Sequence, residues 1–297
     1  MYKIGVDIGG TKINVGVFSG GGALLACKKL KIADIADIAE AVSGAAAELE
    51  EKLGAARDEM DFCGIGIPGT VSADGRRVVK APNIGILHGN IAEELEERLG
   101  VRTALVQDSR AAAWGEYLFG AGKNKESVVC ITLGTGIGCG IVLNGRIWNG
   151  SLGSAGELGH LPAVPNGRRC GCGKFGCVEK YAAGGGLDIT AEELLGKGST
   201  AKELFAAAEA GDESCKKALA NAVMLLGNAV VAVINLLSPD CILFSGGLSE
   251  QRELYVEPLI SYILGHCYSA GSYPEIKTAS LGEYSPLYGA AFLPARE

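Results

Sequence analysis

Residues 157–179 read ELGHLPAVPNGRRCGCGKFGCVE, and no other stretch of the chain concentrates as many ligand-type side chains. His160, one of three histidines, is followed by Cys170, Cys172 and Cys177. One imidazole and three thiolates complete the tetrahedral set that zinc takes in structural sites, with no position left for a reactive water. Gly159, Gly167, Gly171, Gly173 and Gly176 lie between or beside these ligands, as a chain wrapping tightly around an ion requires. Disulfides or unrelated core thiols are the alternatives; a CxCx4C run preceded by a histidine fits a metal better. Glu157 and Glu179 frame the loop. Aimed into a cleft, two carboxylates and an imidazole share hydrogen bonds with several hydroxyls, as recognition of a sugar demands. Solvated glutamates are the plain alternative.

Glycine turns after strands supply a second chemistry. In DIGGTK, residues 7–12, the amides at Gly9 and Gly10, the Thr11 hydroxyl and Lys12 suit a phosphate, and Asp7 at the strand end suits a Mg2+ held through water. An ordinary hairpin competes with this reading. LGTGIG repeats the turn with Gly134, Thr135 and Gly136, and the GxxxxGK[ST] spacing of a Walker loop is absent. Two phosphate turns with a nucleotide lying across a cleft are therefore expected. Gly246 and Gly247 in ILFSGGLS open a helix after a strand, where bare backbone lets a flat purine lie close. Asp108 ends the strand TALVQ and opens SRAAAWGE. Its carboxylate either caps the helix or accepts the proton of an attacking hydroxyl, and the neighbouring motifs favour the base. Gly69 in IPG and Asn83 in APN are turns on the same side, and Asn83 offers a donor and an acceptor to a hydroxyl pair.

Strands must end where these groups stand. The opening YKIGVDIGGTKINVGVFSGGGALLACKKLKI predicts three antiparallel strands joined by tight turns. Ile35, Ile38, Val42, Ala46, Leu49 and Leu53 recur at steps of three and four, predicting a helix over 34–53. Strands at 62–67 and 103–106, the amphipathic IAEELEERLG and a helix over 109–119 complete a βββαβαβα order. SVVCITLGTGIGCGIVLNGRIWNG repeats the opening: Gly9 aligns with Gly134 and Asp7 with Thr132, and after a slip of one residue Gly16 meets Gly140. Helices near 201–210, 212–237 and 256–264 and a strand at 241–244 follow. The expected architecture is α/β, two related βββαβαβα domains flanking a cleft. The first takes 1–119 with a C-terminal helix at about 286–297 packed back on it; the second, 120–285, carries the zinc loop and nucleotide site, hinged near 120–125.

A chain of 297 residues suits two cores. A net charge of −7, with no basic cluster beyond Arg168 and Arg169, argues against a nucleic-acid partner. Ten cysteines without a secretory leader point to the reducing cytoplasm. The apolar run at 222–237 is shorter than the ~20 residues of a bilayer crossing and contains Gly227, Asn228 and Asn235, so a buried helix and no membrane partner are expected.

In order, DIGGTK, GIPG, APN, the Asp108 segment, LGTGIG, the ExGH…CxCGxxGCxE loop and SGG resemble the signature of the ROK family, named for repressor, open reading frame and kinase. The match to its sugar kinases runs along nearly the whole chain. It implies the actin-like ATPase (ribonuclease H-like) fold, ATP with Mg2+, structural Zn2+, and transfer of the γ-phosphoryl to a hexose. Glucose is the first candidate, with N-acetylmannosamine, N-acetylglucosamine or fructose as alternatives. The resemblance also implies that Asp108 is the base, that Gly69, Asn83, Gln107, Asp108, Glu157, His160 and Glu179 surround the sugar, and that the chain forms a homodimer or homotetramer. His160 would give zinc one nitrogen and a hydroxyl the other. Three departures from the pattern stand out: Gln107 in place of asparagine and a shorter loop, GILHG, after Asn83, both at the substrate rim, and Ser109 and Arg110 in place of a small residue and asparagine, with Arg110 facing either solvent or phosphate. ROK repressors carry an N-terminal helix-turn-helix, whereas the first strand here starts at Tyr2, so an enzyme is expected.

Overall fold

The computed structural model describes residues 1–81, 84, 85, 87, 89–269 and 271–294. Asn83 lies outside the described residues. The chain opens with the meander β1 (Tyr2–Ile8), β2 (Lys12–Ser19), β3 (Leu24–Lys31), followed by α1 (Ile38–Leu53) and β4 (Met60–Ile67). A small hairpin, β5 (Thr70–Val71) and β6 (Val78–Lys80), precedes α2 (Ile91–Leu99), β7 (Thr103–Gln107) and α3 (Asp108–Phe119). The second half starts with β8 (Val128–Leu133), β9 (Ile137–Leu143) and β10 (Arg146–Ile147). The helices α4 (Glu179–Ala182), α5 (Gly184–Leu195), α6 (Ala201–Glu209) and α7 (Glu213–Leu237) come next, then β11 (Cys241–Ser245), α8 (Glu257–His266), β12 (Glu275–Thr278) and α9 (Ser285–Ala291).

The two five-stranded sheets have the same order, β3-β2-β1-β4-β7 and β10-β9-β8-β11-β12, with an antiparallel meander and then two parallel strands in each. Their registers match as well. Gly5 pairs with Gly16 and Cys130 with Gly140, while at the turn Asp7 pairs with Asn14 and Thr132 with Gly138. The first turn is thus one residue longer than the second, which is the slip seen when the two sequence stretches are aligned. Asp7 and Thr132 end corresponding strands. In each parallel stack the strand ends lie level, Asp7 beside Gly66, Ile67 beside Gln107, and Thr132 beside Ser245. Ligands of open α/β sheets bind outside such carboxyl ends.

Local chemistry moves several boundaries. Asp37 accepts from the Glu40 amide at 2.9 Å, so α1 starts at Ile38, and residues 32–34 form a 3-10 turn rather than the expected helical turn. Residues 247–250 also form a 3-10 turn, so Gly246 and Gly247 open a turn and α8 begins only at Glu257. The last helix ends at Ala291, short of Pro294, instead of running through 286–297. Helix α7 is long and apolar enough to cross a membrane, but half of its apolar window is buried, with Leu219, Val223, Leu226, Val230 and Ile234 in the core of the second half.

Two helices join the halves. Helix α9 packs on β1 and β4, where a Cβ at Gly5 would stand 2.5 Å from the Leu287 carbonyl and one at Gly64 would stand 1.7 Å from the Ala290 carbonyl. Helix α3 packs on β9, where a Cβ at Gly140 would come within 2.2 Å of the Ser109 carbonyl. The two helices cross backbone to backbone: a Cβ at Gly289 would lie 1.7 Å from the Ala111 carbonyl. The buried Glu116 carboxylate locks the crossing. It accepts from the Ala121 amide at 2.9 Å, the Ser280 amide at 3.0 Å, the Leu281 amide at 2.8 Å and the Ser285 hydroxyl at 2.7 Å. It therefore holds both points where the chain passes between sheets.

A methyl at Gly289 has no room, so Gly289→Ala is expected to cost more than about 3 kcal/mol and to lower the melting temperature by about 10 °C. At Gly44, on the exposed side of α1 with open space around it, alanine should instead stabilise by up to about 1 kcal/mol. Parallel thermal melts of the two variants check this.

Candidate active site

The loop between β10 and α4 folds into a knuckle without long regular elements, pinned by the isolated bridges Pro162 to Cys177 and Arg169 to Phe175. The Cys170 amide donates to the Lys174 carbonyl at 2.8 Å and the Gly173 amide to the Cys170 carbonyl at 3.0 Å, closing the turn that presents the sulfurs. Gly176, at φ +74°, passes so near Val164 that a Cβ would lie 1.7 Å from its carbonyl. Arg168 braces the knuckle from behind, donating to the Lys180 carbonyl at 2.8 Å and the Gly186 carbonyl at 3.0 Å and pairing with Glu193. It is an internal strut rather than part of a basic surface.

One ligand atom each from His160, Cys170, Cys172 and Cys177 fall within 4.8 Å of one another. His160 Nδ1 is 3.6 Å from Cys170 Sγ, and the Cys172 and Cys177 sulfurs are 3.6 Å apart. A tetrahedron with Zn–S of about 2.3 Å and Zn–N of about 2.0–2.1 Å has edges of about 3.6–3.8 Å. The donor set and its spacing fit the ion.

The acids beside the knuckle face inward. His160 Nε2, the nitrogen turned away from the sulfurs, is 3.8 Å from Glu157 Oε2, and Gln107 Nε2 donates to Glu157 Oε1 at 3.5 Å. Glu179 reaches the second glycine turn, accepting from the Ile137 amide at 3.2 Å, and a Cβ on Gly136 would sit 2.5 Å from its Oε2. Metal loop and turn thus share one carboxylate.

Asp108 heads α3, its Oδ1 accepting from the Ser109 amide at 2.6 Å. Burial pushes its pKa up to about 7 from 3.8, and the charges of Asp7 and Glu157 push the same way against that one hydrogen bond. Asp7 is likewise raised by burial to about 6, opposed by Asn14 and Lys12. Both acids lie deep yet keep a solvent-accessible edge, as the floor of a cleft does. The fold therefore brings Asp7, Gln107, Asp108, Glu157, His160 and Glu179 together.

The remaining candidates divide. The Gly9 and Gly134 amides close their own turns, onto the Lys12 carbonyl at 2.9 Å and the Gly136 carbonyl at 3.0 Å, while Gly10 and Gly134 have open space where a side chain would be. Lys12 turns from the cleft to pair with Glu283 at 2.5 Å. Gly69 is explained by the hairpin, since a Cβ there would lie 2.2 Å from the Lys80 carbonyl. Gly246, at φ +88°, lets β11 end against the Leu133 backbone, and Gly247 borders a cavity of about 360 Å3 shared with Ala201, Lys202, Phe205 and Gln251. Two contributors were not foreseen. Asn14, fully buried opposite Asp7, donates to its Oδ2 at 3.3 Å, and the Gly184 and Gly185 amides hold the Gly134 and Thr135 carbonyls at 2.8 and 3.0 Å. An amide side chain inside β2 and the run GGG at the start of a helix were the available signals.

The family model of the ROK family matches residues 3–297. The chain belongs to the ROK family. It is 35% identical to a glucokinase of Streptomyces coelicolor over 99% of this chain and 97% of that relative. A ROK glucokinase of Streptomyces griseus, solved in complex with glucose and AMPPNP, superposes with a TM-score of 0.82 at 34% identity, covering 98% of both chains. A ROK hexokinase of Thermus thermophilus gives 0.85 at 35% identity, over 98% of this chain and 97% of that one. The actin-like fold of the family is the fold described above.

For this ROK chain, metal analysis of protein purified without chelator should find one zinc per chain. Cys177→Ala opens the tetrahedron, and its zinc content should fall to about zero after dialysis, with a lower melting temperature.

Proposed function

We propose that this ROK protein is an ATP-dependent hexose kinase that converts glucose to glucose 6-phosphate. One observation carries the reading: an acid held near neutrality, Asp108, stands at the head of α3 with Glu157 and Asp7 both close enough to perturb it. A sugar between Gln107, Asp108, Glu157, His160 and Glu179, with Gly69 at its rim, presents one hydroxyl to Asp108. As that oxygen attacks the γ-phosphorus, its proton passes to Asp108, the new P–O bond forms and the bond to ADP breaks. Gly10 and Thr11 on one side, and Thr135 and Gly136 on the other, hold the phosphates, and Gly247 with its cavity takes the purine. Mg2+ bound at Asp7 through water would neutralise phosphate charge, and Zn2+ on His160, Cys170, Cys172 and Cys177 would be structural. Little covalent work remains, so positioning supplies most of the rate.

The same reading makes 1–119 with α9 the domain of the base, and 120–285 the domain of the knuckle and purine, hinged where Glu116 grips both crossings. None of the ten cysteines is joined in a disulfide, which supports the cytoplasm. Leu236 and Tyr268 are both largely exposed, on segments tied by the Tyr268 amide donating to Asn235 Oδ1 at 2.9 Å, which supports self-association as a dimer or tetramer.

An ADP-release assay over glucose, mannose, fructose and the N-acetylhexosamines tests the reading, with glucose expected to give the highest kcat/KM. For wild type, kcat/KM should fall about tenfold per pH unit below about 7 as Asp108 takes up its proton. An acid with its folded pKa above 3.8 holds a proton that the unfolded chain has released, so ionisation of Asp108 opposes folding progressively from pH 3.8 to about 7 and fully above. Asp108→Asn should therefore lower kcat by at least about 10²–10⁴-fold while raising the melting temperature at pH 8.

A further inference from the structure

We propose that Arg110 is a positioning residue for sugar recognition: from α3 it fixes the loop that carries Glu157, and so sets the affinity for the hexose. The inference rests on the kinase reading and deepens it. Arg110 stands two residues after Asp108 and is buried at 6% exposure. Its Nη2 donates to the Gly153 carbonyl at 2.8 Å and to the Ala155 carbonyl at 2.9 Å. Both acceptors belong to the loop between β10 and Glu157, and the second lies two residues before that acid.

Within this loop the Gly153 amide donates to the Gly150 carbonyl at 3.2 Å and the Ala155 amide to the Asn149 carbonyl at 3.1 Å, and Gly156 passes close to the Cys139 carbonyl of β9; Arg110 is the side chain that ties it to α3. Gly150, Gly153 and Gly156 sit at φ +69°, +71° and +88°, in backbone states that glycine enters and leaves at low cost. On the side facing the β5–β6 hairpin, a cavity of about 210 Å3 lined by Val71, Gln107, Asn149 and Ser151 lies where packing would otherwise support it. Charge-assisted bonds to two carbonyls are stronger than neutral ones, and here they come from the same helical turn that presents the base. Gln107 at the head of that turn reaches the Glu157 carboxylate at 3.5 Å. Gln107 at the end of β7 and Asp108 and Arg110 at the start of α3 thus stand within four residues, one touching the Glu157 carboxylate and another holding the loop that leads to it.

The test is steady-state kinetics of Arg110→Met and Arg110→Lys, varying glucose and ATP separately, with thermal melts alongside. In Arg110→Met the KM for glucose should rise about tenfold, while kcat and the KM for ATP stay within about twofold, because a contact equal in ground and transition states is lost. Both bonds leave one nitrogen, so the ammonium of Arg110→Lys should recover most of the affinity. A purely structural role would lower the melting temperature and move both KM values together or neither, and either result overturns the proposal. Should Arg110→Met not fold, Gly153→Ala decides: it strains the loop at positive φ and meets no atom within 4 Å. An unchanged glucose KM there also overturns the proposal. A wild type that phosphorylates no hexose is a different result, which removes the kinase reading and this inference with it.

Discussion

A tetrahedron of one nitrogen and three sulfurs is the constraint on which the recognition side of this molecule depends. Fixing a residue costs about 1–2 kcal/mol of backbone entropy, and the eight residues 170–177 contain three glycines, which lose the most. No long helix or strand compensates for them. Zinc held by these four residues, at the roughly 10–16 kcal/mol typical of structural sites, would be of the size needed to offset that cost. The consequence reaches beyond the metal. His160 gives its Nδ1 side to the sulfurs and its Nε2 side to Glu157, and Glu179, two residues after the last cysteine, ends against the second glycine turn. A fixed knuckle therefore fixes two acids and braces the second glycine turn.

Opposite the knuckle, duplication supplies the frame. Two sheets of one topology end corresponding strands at Asp7 and Thr132, and the halves have diverged there into an acid and a hydroxyl. The cleft depends on α3, which follows β7 of the first sheet and packs on β9 of the second, so that Asp108 stands where the halves meet. Glycines at 115, 140 and 289 allow this helix to touch backbone on two sides, and Glu116 spends a buried carboxylate on both chain crossings. Burying that charge is tolerable because several donors converge on it. Deep placement also explains the acids at the cleft floor, since desolvation raises Asp7 and Asp108 more than their few hydrogen bonds lower them.

Much of this was legible in the chain itself because it is written in local spacing. The glycine turns after β1 and β8, the repeat with its one-residue slip, and the set of one histidine and three cysteines are patterns a few residues long, and the fold places each at a strand end or in one knuckle. What remained hidden was contact at long range. Gly69, in a turn read for its ligand, also has to pass close to the Lys80 carbonyl of the hairpin, and Lys12, in a turn read for phosphate, pairs with Glu283, distant in sequence. Asn14, Arg110 and Glu116 carry no motif of their own. Each takes its meaning from a partner that only tertiary packing supplies, as does the GGG run that opens α5, whose amides hold the turn at 134–135.

If the knuckle positions the sugar acids, removing its metal must disable one substrate and spare the other. The direct measurement is calorimetric titration of glucose and of a non-hydrolysable ATP analogue into the zinc-loaded protein and into the same protein after chelation. Glucose affinity should fall by more than about a hundredfold, while the nucleotide, held by the glycine turns and the cavity at Gly247, should still bind measurably. Equal glucose affinity with and without zinc, in protein that remains folded, would contradict the account.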